Sequence, residues 1–281
     1  MRIARCRLER RDFWAVIEPS RRVARELRGS ISEWGPALLD GKLFADLVDA
    51  AEHSMDALRL LAPLEPTGRI ICIGTNYGAH LAEAGLQMPS RPVAFLKPYS
   101  AMVGPEDEID YPALTDQLDY EIEFVIAVGA SIAPDADPML AVLGYSIGND
   151  VSARDLQVGP GGAFGLDLYS GKCLDRTSSL GPWIVTRDEF AQRLPDLAMQ
   201  LTVDEEIRQQ DRTSSMHWSL EDLLRYADAR TRLLPGDIIF TGTPAGVGYS
   251  SGRFLQPGNM VAATIENIGT LRNKVGRRPP Q

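Results

Sequence analysis

Apolar residues along this chain fall mostly into short runs, and few stretches keep the 3.6-residue rhythm of a long helix. Phe13-Trp14-Ala15-Val16-Ile17, Ile70-Ile71-Cys72-Ile73, Pro92-Val93-Ala94-Phe95-Leu96 and Leu118 to Val128 read as strands. So do the run Tyr145 to Asp150, Trp183-Ile184-Val185, Ile238 to Thr241 and Val261 to Glu266. Turn formers separate them, as at Gly104-Pro105-Glu106-Asp107 and Leu234-Pro235-Gly236-Asp237. Leu220 to Tyr226 reads as a helix. Leu43 to Leu61 reads as another, because Leu43, Leu47, Ala51, Met55 and Leu58 fall near one helical face. A short helix is predicted from a cap at Thr75 or Asn76 through Ala84, with Gly85 ending it. Residues 159–171 read as a loop rich in glycine. Many short strands with few long helices predict a β-rich α+β fold and not a doubly wound sheet. Pro63 and Pro66 mark a boundary, so a small N-terminal domain is expected over residues 1–62 and a larger one over residues 63–281.

Composition narrows the class. The chain has 281 residues, enough for one large domain with an appendage, and 44% of them are hydrophobic, enough for a full core. The net charge of -9 and the lack of a Lys/Arg stripe argue against a nucleic-acid partner. No apolar stretch reaches the roughly 18 residues of a membrane span, so no membrane partner is expected. Cys6, Cys72 and Cys173 are scattered, with no Cys-x-x-Cys, which excludes a disulfide framework or zinc ribbon and makes a reduced, cytoplasmic location the expectation.

The chemistry concentrates around carboxylates. Glu121 and Glu123 alternate within Leu118 to Val128, so they share one side of a strand whose remainder is apolar on both faces. Asp150 ends a second apolar run. Buried carboxylates at a strand mouth need a cation, and three oxygen ligands suit a hard divalent ion; otherwise Glu-x-Glu is a solvated strand edge. His80 and Glu83 lie three apart on the short helix, which makes them a general-base dyad or an exposed pair. Lys172, Arg154 and Gln157 follow as groups able to grip a carboxylate, or to make ordinary surface contacts. Thr241 to Gly248 is a loop whose N–H groups and hydroxyls can bind an anion, although it lacks phosphate-loop and dinucleotide spacing. Gly144-Tyr145-Ser146-Ile147-Gly148 offers a competing reading, a serine hydrolase with Ser146 as nucleophile and His217 downstream. The run continues as an apolar strand after Ser146, where a nucleophile elbow needs a turn and a helix.

Taken in order, these segments resemble the fumarylacetoacetate hydrolase family. The resemblance is carried by Ile73-Gly74-Thr75-Asn76-Tyr77 with His80 and Glu83, by Phe95-Leu96-Lys97-Pro98 and by Asp119-Tyr120-Glu121-Ile122-Glu123. It continues through Gly148 to Asp155 with Gln157, Gly171-Lys172 with Asp175, Gly181-Pro182-Trp183, and Leu234 to Gly248. The agreement spans roughly residues 67–276, and the first 60 residues are similar to a small N-terminal domain of some bacterial members.

The resemblance implies a mixed β-sandwich roll and a homodimer. It implies Mg²⁺, Mn²⁺ or Ca²⁺ held at Glu121, Glu123 and Asp150, and a His80–Glu83 dyad on a lid. Lys172 would be catalytic, and Arg154, Gln157 and Thr243 would line the substrate site. The implied substrate is a small 2-oxo or 2-enol carboxylic acid, hydrolysed at a C–C bond, isomerised or decarboxylated through an enolate. A member that keeps the fold and binds ligand without turnover is the non-enzyme alternative. Lys172-Cys173-Leu174-Asp175 and the loop 158–170 depart from the family pattern, which leaves the choice of substrate open.

Overall fold

The computed structural model describes residues 1–41, 44–158, 165–190 and 194–279, with the side chains of residues 44 and 45 left out. A twelve-stranded mixed sheet forms its centre. Its main path runs Val48–Ser54, Val23–Leu27, Arg11–Glu18, Arg2–Leu8, Ser178–Thr186, Val142–Asn149, Ile122–Val128, Ile238–Phe240, Ile70–Gly74, Val93–Lys97. Neighbours are antiparallel except where Ile238–Phe240 meets Ile70–Gly74 and where the short strand Met102–Val103 meets Ser178–Thr186. A separate antiparallel sheet runs Glu206–Arg212, Ala198–Val203, Met260–Ile265, Gly269–Lys274.

The two sheets pack face to face, as apolar alternation on each demands. Phe124, Ile126, Tyr145 and Ile147 of the large sheet share one buried cluster with Met199, Leu201, Val261, Ile265 and Leu271 of the small one. The opposite face of the large sheet, including Val125, Ala127, Leu143, Ile238 and Phe240, is covered by Trp14, Leu27, Ile31 and Trp34. With both faces covered, Ile122–Val128 and Val142–Asn149 are buried at every position, which is why their sequences run apolar without alternation. The β-rich α+β fold expected from the strand pattern is the fold that forms. The sequence boundary at Pro63 falls between the strands Arg59–Leu61 and Ile70–Gly74, and the strand Arg2–Leu8 joins the large sheet by pairing Arg2 with Val185 and Ile3 with Ile184.

One expected element does not form. Leu43 lies outside the described residues, and residues 44–61 are not a long helix: a single turn, Phe44–Leu47, gives way to an edge strand, Val48–Ser54, then a 3₁₀ turn and the strand Arg59–Leu61. Pairing of Val48, Glu52, His53 and Ser54 with the strand Val23–Leu27 satisfies the backbone, and Ala51 points to solvent instead of a core. Tertiary pairing overrides a helical spacing built on few strongly apolar residues. Of the glycine-rich loop expected over residues 159–171, residues 159–164 lie outside the described residues, and its end is not a loop but the short helix Leu168–Lys172, capped by Asp167.

Candidate metal centre and active site

Two adjacent strands bring the acidic residues together. Glu121 sits just before the strand Ile122–Val128 and Glu123 lies within it; Asp150 follows the neighbouring strand Val142–Asn149. The register Ile122↔Asn149 places the three carboxylates at one end of the pair. Glu121 is pinned by its own backbone: its N–H donates to Asn149 Oδ1 (2.9 Å) and its carbonyl accepts from the Asp150 N–H (2.9 Å). All three side chains are buried, with one ligand oxygen from each within 4.8 Å of the others.

Charge in this pocket is counted easily. The carboxylates are Asp119, Glu121, Glu123 and Asp150. The cations in contact with them are Lys97, Lys172 and Arg154. Lys172 Nζ bridges Glu121 Oε2 (2.6 Å) and Asp150 Oδ2 (2.7 Å). Arg154 forks between Asp119 Oδ2 (2.8 Å) and Glu121 Oε1 (2.5 Å). Lys97 pairs with Asp150 Oδ1 and donates to Ser178 Oγ (2.5 Å). Four negative groups face three positive ones, and the shortage falls on Glu123, whose partner is the Gly242 N–H at 2.7 Å. Burial, then the proximity of Asp150 and Glu121, hold the Glu123 carboxyl well above the usual carboxylate range. Burial pushes Glu121 the same way, but Lys172 and Arg154 outweigh it and bring that group down to about 2. An oxygen-only donor set with one uncompensated buried carboxylate fits a divalent cation.

The strand Ile238–Phe240 delivers the loop Thr241 to Gly248, whose N–H groups are able to bind an anion. The carboxyl groups they meet are the protein's own. Gly242 N–H serves Glu123, Gly246 N–H serves Glu83 (3.0 Å), and Gly248 N–H serves Asp119 (2.6 Å). Gly242 has φ 99, and a Cβ there would lie 2.9 Å from Asn76 Cβ, so only glycine delivers this N–H.

The short helix Gly78–Glu83 follows the strand Ile70–Gly74 and stands over the same cavity. Tyr77, not Thr75 or Asn76, is its N-cap. Asn76 is used elsewhere, donating to Thr241 O (2.7 Å) and accepting from the Trp218 N–H (2.8 Å). His80 Nδ1 lies 3.0 Å from Glu83 Oε1. A carboxylate accepts, so Nδ1 carries a proton toward Glu83 and Nε2 is the nitrogen outside this bond. Burial raises the Glu83 carboxyl, but the bonds from His80 and Gly246 outweigh it and hold Glu83 below the usual range, as an orienting anion must be. Thr75, at the base of this helix, holds φ 61, a strained conformation for a β-branched residue.

His80, Glu121, Glu123, Asp150, Arg154, Gln157, Lys172 and Thr243 all line one cavity of about 370 Å³, and Glu83 stands behind His80. Arg154 and Gln157 come from the helical turn Arg154–Gln157, and Lys172 ends the helix Leu168–Lys172. The two turns touch at Gly171, where a Cβ would lie 2.4 Å from Gln157 Cβ. Gln157 accepts a bond from Arg154 with its side-chain carbonyl oxygen (3.0 Å). The Thr243 hydroxyl is bonded on both sides, donating to Ile122 O and accepting from Gln209 Nε2, both at 2.9 Å.

The serine-hydrolase reading is corrected. Ser146 is wholly buried within the strand Val142–Asn149, and its hydroxyl donates to Trp183 O (2.8 Å). His217 is exposed and meets Trp218 edge to face, with ring centroids 4.6 Å apart. There is no elbow, and no base at Ser146 among the described residues.

Residues 69–276 match the fumarylacetoacetate (FAA) hydrolase C-terminal family. The chain belongs to the fumarylacetoacetate hydrolase family. Protein Rv2993c of Mycobacterium tuberculosis is 41% identical over 224 residues, covering 79% of this chain and 80% of that one. The 5-carboxymethyl-2-hydroxymuconate delta-isomerase of Mycobacterium smegmatis superposes with a TM-score of 0.81 at 33% identity, covering 99% and 100% of the two chains. The fumarylpyruvate hydrolase of Pseudomonas aeruginosa, solved with Mn²⁺ and pyruvate, gives 0.68 at 32% identity, covering 78% and 91%. The fold is that of these relatives, and the protein is an enzyme of this hydrolase and isomerase family.

Lys97 and Asp119 were missed as working parts of the site. Asp119 had a signal: it shares the parity of Glu121 and Glu123, so all three carboxylates lie on one side. Lys97 had a weaker one, a single lysine ending an apolar strand.

Proposed function

We propose that the protein is a divalent-metal-dependent enzyme acting on a 2-oxo or 2-enol carboxylic acid. It would hydrolyse a C–C bond of a 1,3-diketo acid or isomerise a 2-hydroxy-dienoate through an enolate. The observation that carries this reading is that one cavity joins a buried carboxylate trio short of one cation with an imidazole oriented through Nδ1 by Glu83. Glu121, Glu123 and Asp150 would hold Mg²⁺, Mn²⁺ or Ca²⁺. When bound, the ion supplies Lewis-acid stabilisation of negative charge on oxygen. The Mn²⁺ and pyruvate of the Pseudomonas relative support both the ion type and the acid class.

In hydrolysis, His80 Nε2 takes a proton from water and the oxygen adds to the distal carbonyl carbon. The bond from that carbon to the adjacent methylene breaks, and its electron pair passes to the 2-oxo fragment as an enolate. The imidazolium returns the proton to carbon. In isomerisation the same nitrogen takes the enol proton and returns one to a carbon further along the conjugated chain. Glu83 holds the tautomer and stabilises the imidazolium. Lys172 and Arg154 hold Glu121 in place and offset the field of four carboxylates, so that an anion can enter. Gln157 offers its amide N–H groups to the substrate head. The same reading carries a homodimer, which light scattering would check.

The test is a panel of acylpyruvates, oxaloacetate and 2-hydroxy-2,4-dienedioates assayed with Mg²⁺ or Mn²⁺. Turnover should appear on at least one, vanish in EDTA and return with the ion. Full activity after rigorous chelation would remove the metal from the reading.

A further inference from the structure

We infer that the substrate carries a single carboxylate, at its 2-oxo head, and an uncharged apolar tail; this rests on the reading above and narrows it. The floor and the mouth of the cavity differ in kind. The floor holds every charged group of the lining other than the half-buried His80, and its two cations are already engaged, Lys172 by Glu121 and Asp150, Arg154 by Asp119 and Glu121. The mouth is built from Leu86, Val93, Phe95, Val158, Leu166 and Tyr249. Five of these are large apolar side chains left in solvent: Leu86 at 59%, Val93 at 44%, Val158 at 50%, Leu166 at 58% and Tyr249 at 49%. Single exposed apolar residues need no explanation, but five around one opening form a surface that gains by being covered. No Lys or Arg stands among the described residues of this rim.

The charge count points the same way. With all four carboxylates ionised, as ion binding requires, they outnumber the three cations and leave the floor one negative charge in excess. A divalent ion reverses that to one positive charge, and a single carboxylate balances it. A second carboxylate on the tail would lie against the apolar rim with no cation to pair with and would give up part of its water as it covers that rim, which is costly. An apolar wall discriminates against an added polar group by on the order of 10²-fold, and the partial exposure of this rim lowers that figure.

The experiment compares two acids alike except at the far end, 2,4-dioxoheptanoate with a terminal methyl and 2,4-dioxoheptanedioate with a terminal carboxylate. Binding of each is measured by calorimetry with Mg²⁺ present, and turnover separately. The monoacid should bind at least 30-fold tighter. In the variant Leu86→Arg, which places a cation on the exposed rim, that preference should fall at least tenfold. Equal or tighter binding of the dioate to the unaltered protein overturns the inference. A 30-fold preference in binding without turnover of either acid upholds the inference and defeats the proposed reaction. Binding of neither acid defeats both.

Discussion

Replacing Lys97 by methionine isolates the charge balance of the site from its shape. The Lys97 side chain has no solvent exposure, and its ammonium pairs with Asp150, donates to Ser178 Oγ at 2.5 Å and reaches Val151 O at 3.4 Å. Methionine fills a similar volume, so the packing cost is small. What changes is the count: four buried carboxylates would face two cations in place of three. Removing one partner of a buried ion pair costs about 3–5 kcal/mol. The lower figure applies, because a carboxyl left without its cation can take up a proton. At about 2–4 °C per kcal/mol for a chain of this order of size, Lys97→Met in EDTA should melt roughly 6–12 °C lower than the parent. A bound divalent ion restores positive charge at Asp150, so saturating Mg²⁺ or Mn²⁺ should recover at least half of that loss. Urea unfolding of both proteins, in EDTA and in metal, measures the four values needed. A loss below about 1 kcal/mol, or an equal loss with and without metal, would show that Lys97 is only a filler and refute the charge argument.

Glu123→Gln should move stability and metal binding in opposite directions: it removes the carboxylate that lacks a cation, so the EDTA-treated protein should gain about 1 kcal/mol in urea unfolding while calorimetry shows loss of ion binding; a destabilised variant that still binds the ion would contradict the site. His80→Ala should lower turnover about 10²-fold with the fold intact by circular dichroism, and Glu83→Gln should lower it less, because the imidazole remains but its tautomer is no longer enforced; a loss under threefold at His80 assigns proton transfer elsewhere. Ser146→Ala should cost about 1 kcal/mol for its lost bond to Trp183 O and leave turnover within threefold, and abolished turnover would revive the nucleophile.

Much of the site was legible because it is written in local order. The period-two placement of Glu121 and Glu123 fixes their common side whatever the strand pairs with. The i, i+3 placement of His80 and Glu83 fixes their contact once a helix forms. Other parts were not legible, for reasons of distance along the chain. Lys97 and Asp150 are far apart in sequence, and nothing local at either predicts the pair. The loop Thr241 to Gly248 showed its capacity to bind anions but not that Glu83, Glu123 and Asp119 would be the anions. Residues 43–61 misled because helical spacing is a weak local preference, and the strand Val23–Leu27 offered their backbone a full set of partners.

The chain by itself determined the strand-rich class, the chemistry of its donors and the dyad, since those depend on residue type and on spacings that survive in any fold. Only the tertiary structure decided which charge each group would face. Glu121 and Glu123 are two residues apart on one strand, yet one is held ionised by Lys172 and Arg154 and the other is left short of a cation. That difference arises because burial strips away water and makes the nearest few charges decisive, and the residues that carry those charges arrive from other strands, helices and loops.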